Sequence, residues 1–201
     1  MAARHALGLR LVKTPLGAGL TLTATGALLL AFFLQGFFFI RANAPTYDEA
    51  MHLAAGYSYL ATGDFRMERQ NPPLLKTWLA LPLLVIYGLP FAPDADDWRH
   101  ENDYQIGQQF LYRSALSADR MLGLARSANL LLGVFLVGLI AWWAYRLWGG
   151  GAAIIAAALA SFEPNLIAHS ALVTTDAGAS LFFLLAVYHP DGSFARGRRR
   201  Q

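Results

Sequence analysis

The chain has 201 residues and a formal net charge of +3, and it is 56% hydrophobic against only 14% charged, where a soluble domain carries roughly a quarter charged residues. It has no cysteine, which excludes disulfides, thiolate metal sites and cysteine nucleophiles, and no basic-aromatic patch points to nucleic acid. The apolar residues gather in uncharged runs that a soluble domain could not solvate. The chain therefore reads as an all-α, multi-span transmembrane protein with about four spans and a large extracytoplasmic first loop containing interfacial helices.

Residues 1–15 carry Arg4, Arg10 and Lys13 and mark a cytoplasmic N-terminus. No charge occurs from Thr14 to Ile40. At ~1.5 Å per residue that run exceeds a hydrocarbon core of ~30 Å, so a first span is placed at 16–40. A signal peptide is the alternative, because Ala42-Asn43-Ala44 has the small-x-small form of a cleavage site. The run is longer than a signal peptide's apolar core, and Pro45 follows the would-be cut, so a retained helix is expected.

Residues 41–126 form the extracytoplasmic loop and hold ten of the 13 Asp and Glu residues. Thr46-Tyr47-Asp48-Glu49 has the form of a capping box, in which Thr46 accepts from the Glu49 amide and Glu49 reaches back to the Thr46 amide. Leu53, Ala54, Tyr57, Leu60 and Ala61 then recur at helical spacing up to Gly63. This predicts an amphipathic helix over about 47–62, lying along the membrane surface. Asp48 and His52 share one face of it. Acids in a first turn also favour the helix dipole and need have no further role. The cap accounts for Glu49 but not for Asp48.

Residues 64–76 read as an extended loop stiffened by Asn71-Pro72-Pro73, with Lys76 at a new helix start. Leu74–Leu89 is apolar, broken by Pro82 and too short to span comfortably, which fits an interfacial or re-entrant helix. Residues 92–103 read as a solvated acidic loop, and His100 among its acids shows no recognisable ligand spacing. Residues 104–126 read as helical and lead into the second span. Arg113, Arg120 and Arg126 lie six or seven residues apart and would line one side. Such arginines are commonly snorkelling anchors, and they are also the residues that fork onto phosphate oxygens.

Residues 127–190 hold spans two to four. Ser127–Tyr145 is uncharged and ends at Arg146, Gly149-Gly150-Gly151 makes a turn, and a third span runs to about Phe162, where Pro164 ends or kinks it. A fourth runs from about Val173 to Tyr188. The tail, 191–201, returns to the cytoplasm with Arg196, Arg198, Arg199 and Arg200. Phe162-Glu163-Pro164-Asn165 and Val173-Thr174-Thr175-Asp176 bracket an outer turn. A carboxylate at the membrane edge is costly when buried, so it should be wet, paired or functional. Asp176 also fits the position after an N-cap threonine, and His169 reads as interfacial.

TYDEAMHLAAGYSYLATGDFR, NPPLLK and FEPNLIAHSALVTTDAGASLFFLL together resemble the N-terminal part of C-type-fold membrane glycosyltransferases. The nearest group is that of the bacterial protein O-mannosyltransferase and aminoarabinose-transferase relatives. The resemblance implies transfer of a sugar, with inversion, from a polyprenyl-phosphate donor to an acceptor hydroxyl outside the cytoplasm, in a multi-pass protein of the cell (inner) membrane. It implies that Asp48 is the general base, that Glu49 orients it or the acceptor, and that Asp176 is a second active-site acid. It implies that Lys76 and Arg126 face the donor phosphate. Some relatives use a divalent metal, for which His52 or His169 would be ligands.

Members of that group are longer and have many more spans. The segment HPDGSFARGRRRQ resembles neither a further span nor a soluble domain, and is expected to be the end of a truncated form lacking a C-terminal half. A non-catalytic fragment, or a subunit that packs against a membrane partner, is the competing expectation. A transporter is a third, disfavoured because spans one and two lack the midplane polar groups such proteins use.

Overall fold

The computed structural model describes residues 17–188, which form helices and loops with no strand among them. In chain order the helices are α1 (Ala18–Ala42), α2 (Glu49–Thr62), α3 (Pro73–Tyr87), α4 (Ala95–Arg99), α5 (Asp103–Arg113), α6 (Ala118–Trp148), α7 (Gly150–Ser161), α8 (Pro164–Ser170) and α9 (Asp176–Val187). The expected cytoplasmic N-terminus and the basic tail lie outside the described residues.

Among the described residues two helices are long and apolar enough to cross a membrane, α1 with 25 residues and α6 with 31. At ~1.5 Å per residue they extend about 38 and 46 Å. α1 presents Leu20, Leu22, Leu30, Leu34 and Phe38 outward, as a helix bathed in lipid does. α7 and α8 are bent by 67° where Pro164 begins α8, and the pair passes as a third crossing only if taken as one broken span. α9 has 12 residues, about 18 Å, which falls short of the hydrocarbon core. The apolar runs expected to form spans three and four are thus helical, but each straight piece is too short to cross by itself.

α2 to α5 and the first turns of α6 share one apolar core. Leu53 and Tyr57 from α2 pack with Leu79 and Leu83 from α3, Ile106 and Leu111 from α5, and Met121 and Leu122 from α6. α6 then carries two further clusters along its length. One joins Leu132 and Leu136 to Leu75 and to Leu181 of α9. The other joins Leu130 and Val137 to Phe32 of α1. α6 is therefore the post that ties the two apolar spans to the loop layer.

α2 differs from the amphipathic surface helix expected of it. It begins at Glu49, its N-cap residue is Asp48 with no side-chain capping bond, and residues 49–50 and 52–59 are buried. The reason is close packing on both sides by α3 and α5. A Cβ on Gly56 would lie 2.0 Å from the Lys76 carbonyl oxygen, and one on Gly107 would lie 2.9 Å from Ala50 backbone. Small residues at these crossings draw three helices together, so polar groups of α2 become interior groups. Gly63 ends α2 in the left-handed region at φ 71° and donates to the Tyr59 carbonyl.

Three further expectations change. α3 continues through Pro82 to Gly88. The acidic segment contains α4, whose first amides are capped by the Asp94 carboxylate. The helix expected over 104–126 is interrupted at 114–117, so Arg113 ends α5 while Arg120 and Arg126 belong to α6. The three arginines consequently line no common face: Arg113 and Arg120 are exposed and Arg126 is buried.

Candidate functional site

Two adjacent carboxylates at the start of α2 have opposite surroundings. Glu49 is wholly buried. Its Oε1 accepts from Arg126 Nε at 2.7 Å and from the Val173 amide at 2.8 Å. Its Oε2 accepts from Arg126 NH2 at 2.6 Å and from the Thr46 amide at 2.8 Å. Half of the expected capping box forms, the bond from Glu49 back to Thr46. Burial raises the Glu49 pKa, but the Arg126 hydrogen bonds and the two amides outweigh it and hold the carboxyl below its usual range.

Arg126 is correspondingly saturated. Besides its two bonds to Glu49, it donates to the carbonyls of Ile40, Asn43 and Ala44 at 3.3, 3.0 and 3.1 Å. A guanidinium has five N–H groups, and all five are used. The pair therefore joins the linker after α1, the start of α2, the upper part of α6 and the turn before α9 at one point.

Asp48 is exposed, and its carboxylate has no hydrogen bond or ion pair among the described residues. Its backbone carbonyl accepts from the His52 amide at 3.0 Å. Asp48 lines a polar cavity of about 390 Å³ together with Met51, His52, Arg66, Glu68, Arg69, Gln70, Asn71, Glu101 and Asp103. Asp48 and His52 thus share one face, as their spacing predicts. His52 is buried, with Nδ1 3.4 Å from Glu68 Oε2, too long for a hydrogen bond.

Behind the cavity lies a second closed network. Lys76 is fully buried, and its ammonium donates to Tyr59 Oη at 2.9 Å, to Glu68 Oε2 at 2.6 Å and to the Glu68 carbonyl. Those three bonds use all three of its donors. Glu68 adopts φ 44°, a left-handed conformation costly for a residue with a Cβ. It is held there from both ends, since its amide donates to Asp103 Oδ2 at 2.8 Å and its carbonyl takes Lys76. Burial raises the Glu68 pKa, but hydrogen bonds from Lys76 and Asn71 lower it further. Asp103 moves the other way: burial raises it, the Glu68 amide opposes, and the Glu68 and Glu101 charges add to the rise.

Asp176 stands in the first turn of α9, exposed, with its carboxylate 2.7 Å from His169 Nδ1. It does not line the Asp48 cavity. The turn before it is nevertheless stitched to that region, through the Val173 amide on Glu49 and Thr175 Oγ1 on Asn71 at 3.3 Å. Thr175 holds the N-cap position without a side-chain cap.

Of the residues expected to act as base, acid or phosphate ligand, Asp48 alone both faces the cavity and keeps its functional group without a partner among the described residues. Glu49 is pinned rather than mobile. Lys76 and Arg126, expected to face a donor phosphate, have no N–H left to offer one. Among the described residues no three His, Asp or Glu side chains are placed to hold a metal ion. Glu68, Asp103 and Tyr59 were not singled out by sequence pattern. Their one signal was Lys76 itself, a lysine inside an apolar helix that must find a buried acceptor.

Comparison of the chain with protein-family models, curated proteins and solved structures finds no match.

Proposed function

We propose that this chain carries the acceptor-activating site of a membrane glycosyltransferase that uses a polyprenyl-phosphate sugar. Asp48 is the observation behind it: a carboxylate unpaired among the described residues, on a polar cavity and next to a carboxylate neutralised by a buried arginine. Arg126 cancels the charge of Glu49, so the neighbouring charge does not add to that of Asp48. In the proposed step Asp48 takes the proton of an acceptor hydroxyl, whose oxygen bonds to the sugar C1. The C1–O bond to phosphate breaks, and its electron pair leaves with the lipid phosphate. In this reading Glu49 and Arg126 position the base, and Asp176 with His169, on the turn that Val173 and Thr175 tie to the α2 region, binds sugar or acceptor.

The proposed topology puts the α2–α5 layer outside the cytoplasm. It rests on Arg4, Arg10 and Lys13 before α1 and on the shared end at which α1 stops and α6 starts. α7–α8 would be the third crossing and α9 the core of the fourth.

The test is sugar transfer by the full chain in vesicles, with a labelled polyprenyl-phosphate sugar as donor. Asp48→Asn should lose at least about a hundredfold in rate, the usual worth of a positioned base. Equal turnover would remove Asp48 from the chemistry. The saturation of Lys76 and Arg126 favours a second reading, in which both ion pairs are purely structural and the chain is a non-catalytic subunit. That reading expects no transfer from the wild-type chain at all.

A further inference from the structure

Since Arg126 and Lys76 have no spare donors, a phosphate needs other cations. A groove of about 780 Å³ lies between the end of α1 and the start of α6, bordered by Tyr87 at the end of α3. Arg41 and Arg120 stand in its lining, both exposed. Neither forms an ion pair among the described residues, although Asp119 shares the lining. Arg41 rests on the Phe37 ring at 4.6 Å, which leaves its N–H edge open.

Four properties point to a lipid phosphate. The groove lies where the two helices long and apolar enough to cross a membrane meet the loop layer, which the proposed topology puts at the level of headgroups. Its remaining surface includes Phe37, Ile40 and Leu124, an apolar bed for a chain. The carbonyls of Ile40, Asn43 and Ala44, which would repel an anion, are occupied by Arg126. The long α6 also begins here, and a helix start favours negative charge.

We infer that Arg41 and Arg120 hold the phosphate end of a membrane-borne lipid phosphate in this groove. The inference rests on the function proposed above for the identity of the carrier lipid. Arg126 lines the groove on one side and grips Glu49, the neighbour of Asp48, on the other. One buried ion pair therefore links the phosphate groove to the base.

The test is binding of radiolabelled farnesyl phosphate to the full chain in phosphatidylcholine nanodiscs. Removing both arginines as Arg41→Gln/Arg120→Gln should weaken binding at least about tenfold, the loss of charge-assisted bonds to phosphate. Both side chains are exposed, so the melting curve should not move. Arg113→Gln, in a different cavity, should bind as wild type does. Farnesol should bind at least tenfold more weakly than farnesyl phosphate, and inorganic phosphate should not compete at equal concentration. Equal binding by the double variant, equal binding of farnesol, or equal competition by inorganic phosphate would each overturn the assignment. Transfer lost in Asp48→Asn alongside unaltered binding in the double variant would sink the groove but leave the proposed function standing.

Discussion

Replacing Glu49 by Gln tests whether the buried ion pair organises this part of the molecule. The carboxylate accepts four hydrogen bonds, two on each oxygen. Glutamine keeps one oxygen and puts an NH2 group against two donors. Whichever way the amide turns, one Arg126 N–H and one backbone amide lose their acceptor. Two buried orphans at about 1–3 kcal/mol each give about 2–6 kcal/mol. Breaking one partner of a buried pair is measured at about 3–5 kcal/mol, the same range. For a chain of this size 1 kcal/mol shifts Tm by about 2–4 °C, so 4 kcal/mol is a fall of about 8–16 °C. The assay is thermal unfolding of the detergent-solubilised chain by circular dichroism. Glu49→Leu/Arg126→Met, which removes both charges, should cost less than the sum of the single changes. Acid should narrow the gap between wild type and Glu49→Gln. The folded pKa of Glu49 lies below its unfolded value, taken as about 4.3, so its stabilisation is full above that pH. It is lost as pH falls through the folded pKa. A Glu49→Gln melt within about 3 °C of wild type at pH 7, or strictly additive single changes, would refute the reasoning.

Asp48→Asn should melt within about 1 kcal/mol of wild type, since its carboxylate holds nothing in place; a large loss by the same assay would make it a structural residue. Asp103 has a folded pKa above its unfolded value, so ionising it costs stability as pH rises through that pKa. Asp103→Asn, which keeps an oxygen for the Glu68 amide, should melt at or above wild type at pH 7, and the advantage should shrink towards pH 4; an advantage that grows in acid would show the sign to be wrong. Gly56→Ala should cost about 1–3 kcal/mol or more, because its Cβ would strike the Lys76 carbonyl. Gly26→Ala meets nothing within 4 Å and should gain up to about 1 kcal/mol from helix propensity; equal melting of the two alanine variants would deny the close α2–α3 crossing.

Much of the helical plan was open to reading from the chain alone. The uncharged run that ends at Ile40 predicts a long apolar helix, which α1 forms over the described residues, because a helix satisfies its own backbone groups away from water. Gly63 as a stop and Pro164 as a bend follow from local backbone chemistry. The pairing of Asp48 with His52 on one face follows from helical period. What pattern alone could not supply was the partner of each charge. Glu49 meets Arg126 across 77 positions, and Lys76 meets Tyr59 and Glu68 through a loop with no periodicity. The one-sided exposure expected of an amphipathic α2 failed for the same reason. Its small residues look neutral in sequence, yet they let α3 and α5 close over its polar side.

Hydropathy and backbone stereochemistry act over neighbouring residues, so the order of amino acids was enough to locate the apolar helices. Which charges remain available depended on long-range packing. A guanidinium or ammonium is spent once its last N–H is bonded, and those acceptors come from distant segments. Among the described residues that count leaves Asp48 without a partner, Arg126 and Lys76 committed, and Arg41 and Arg120 open at the groove.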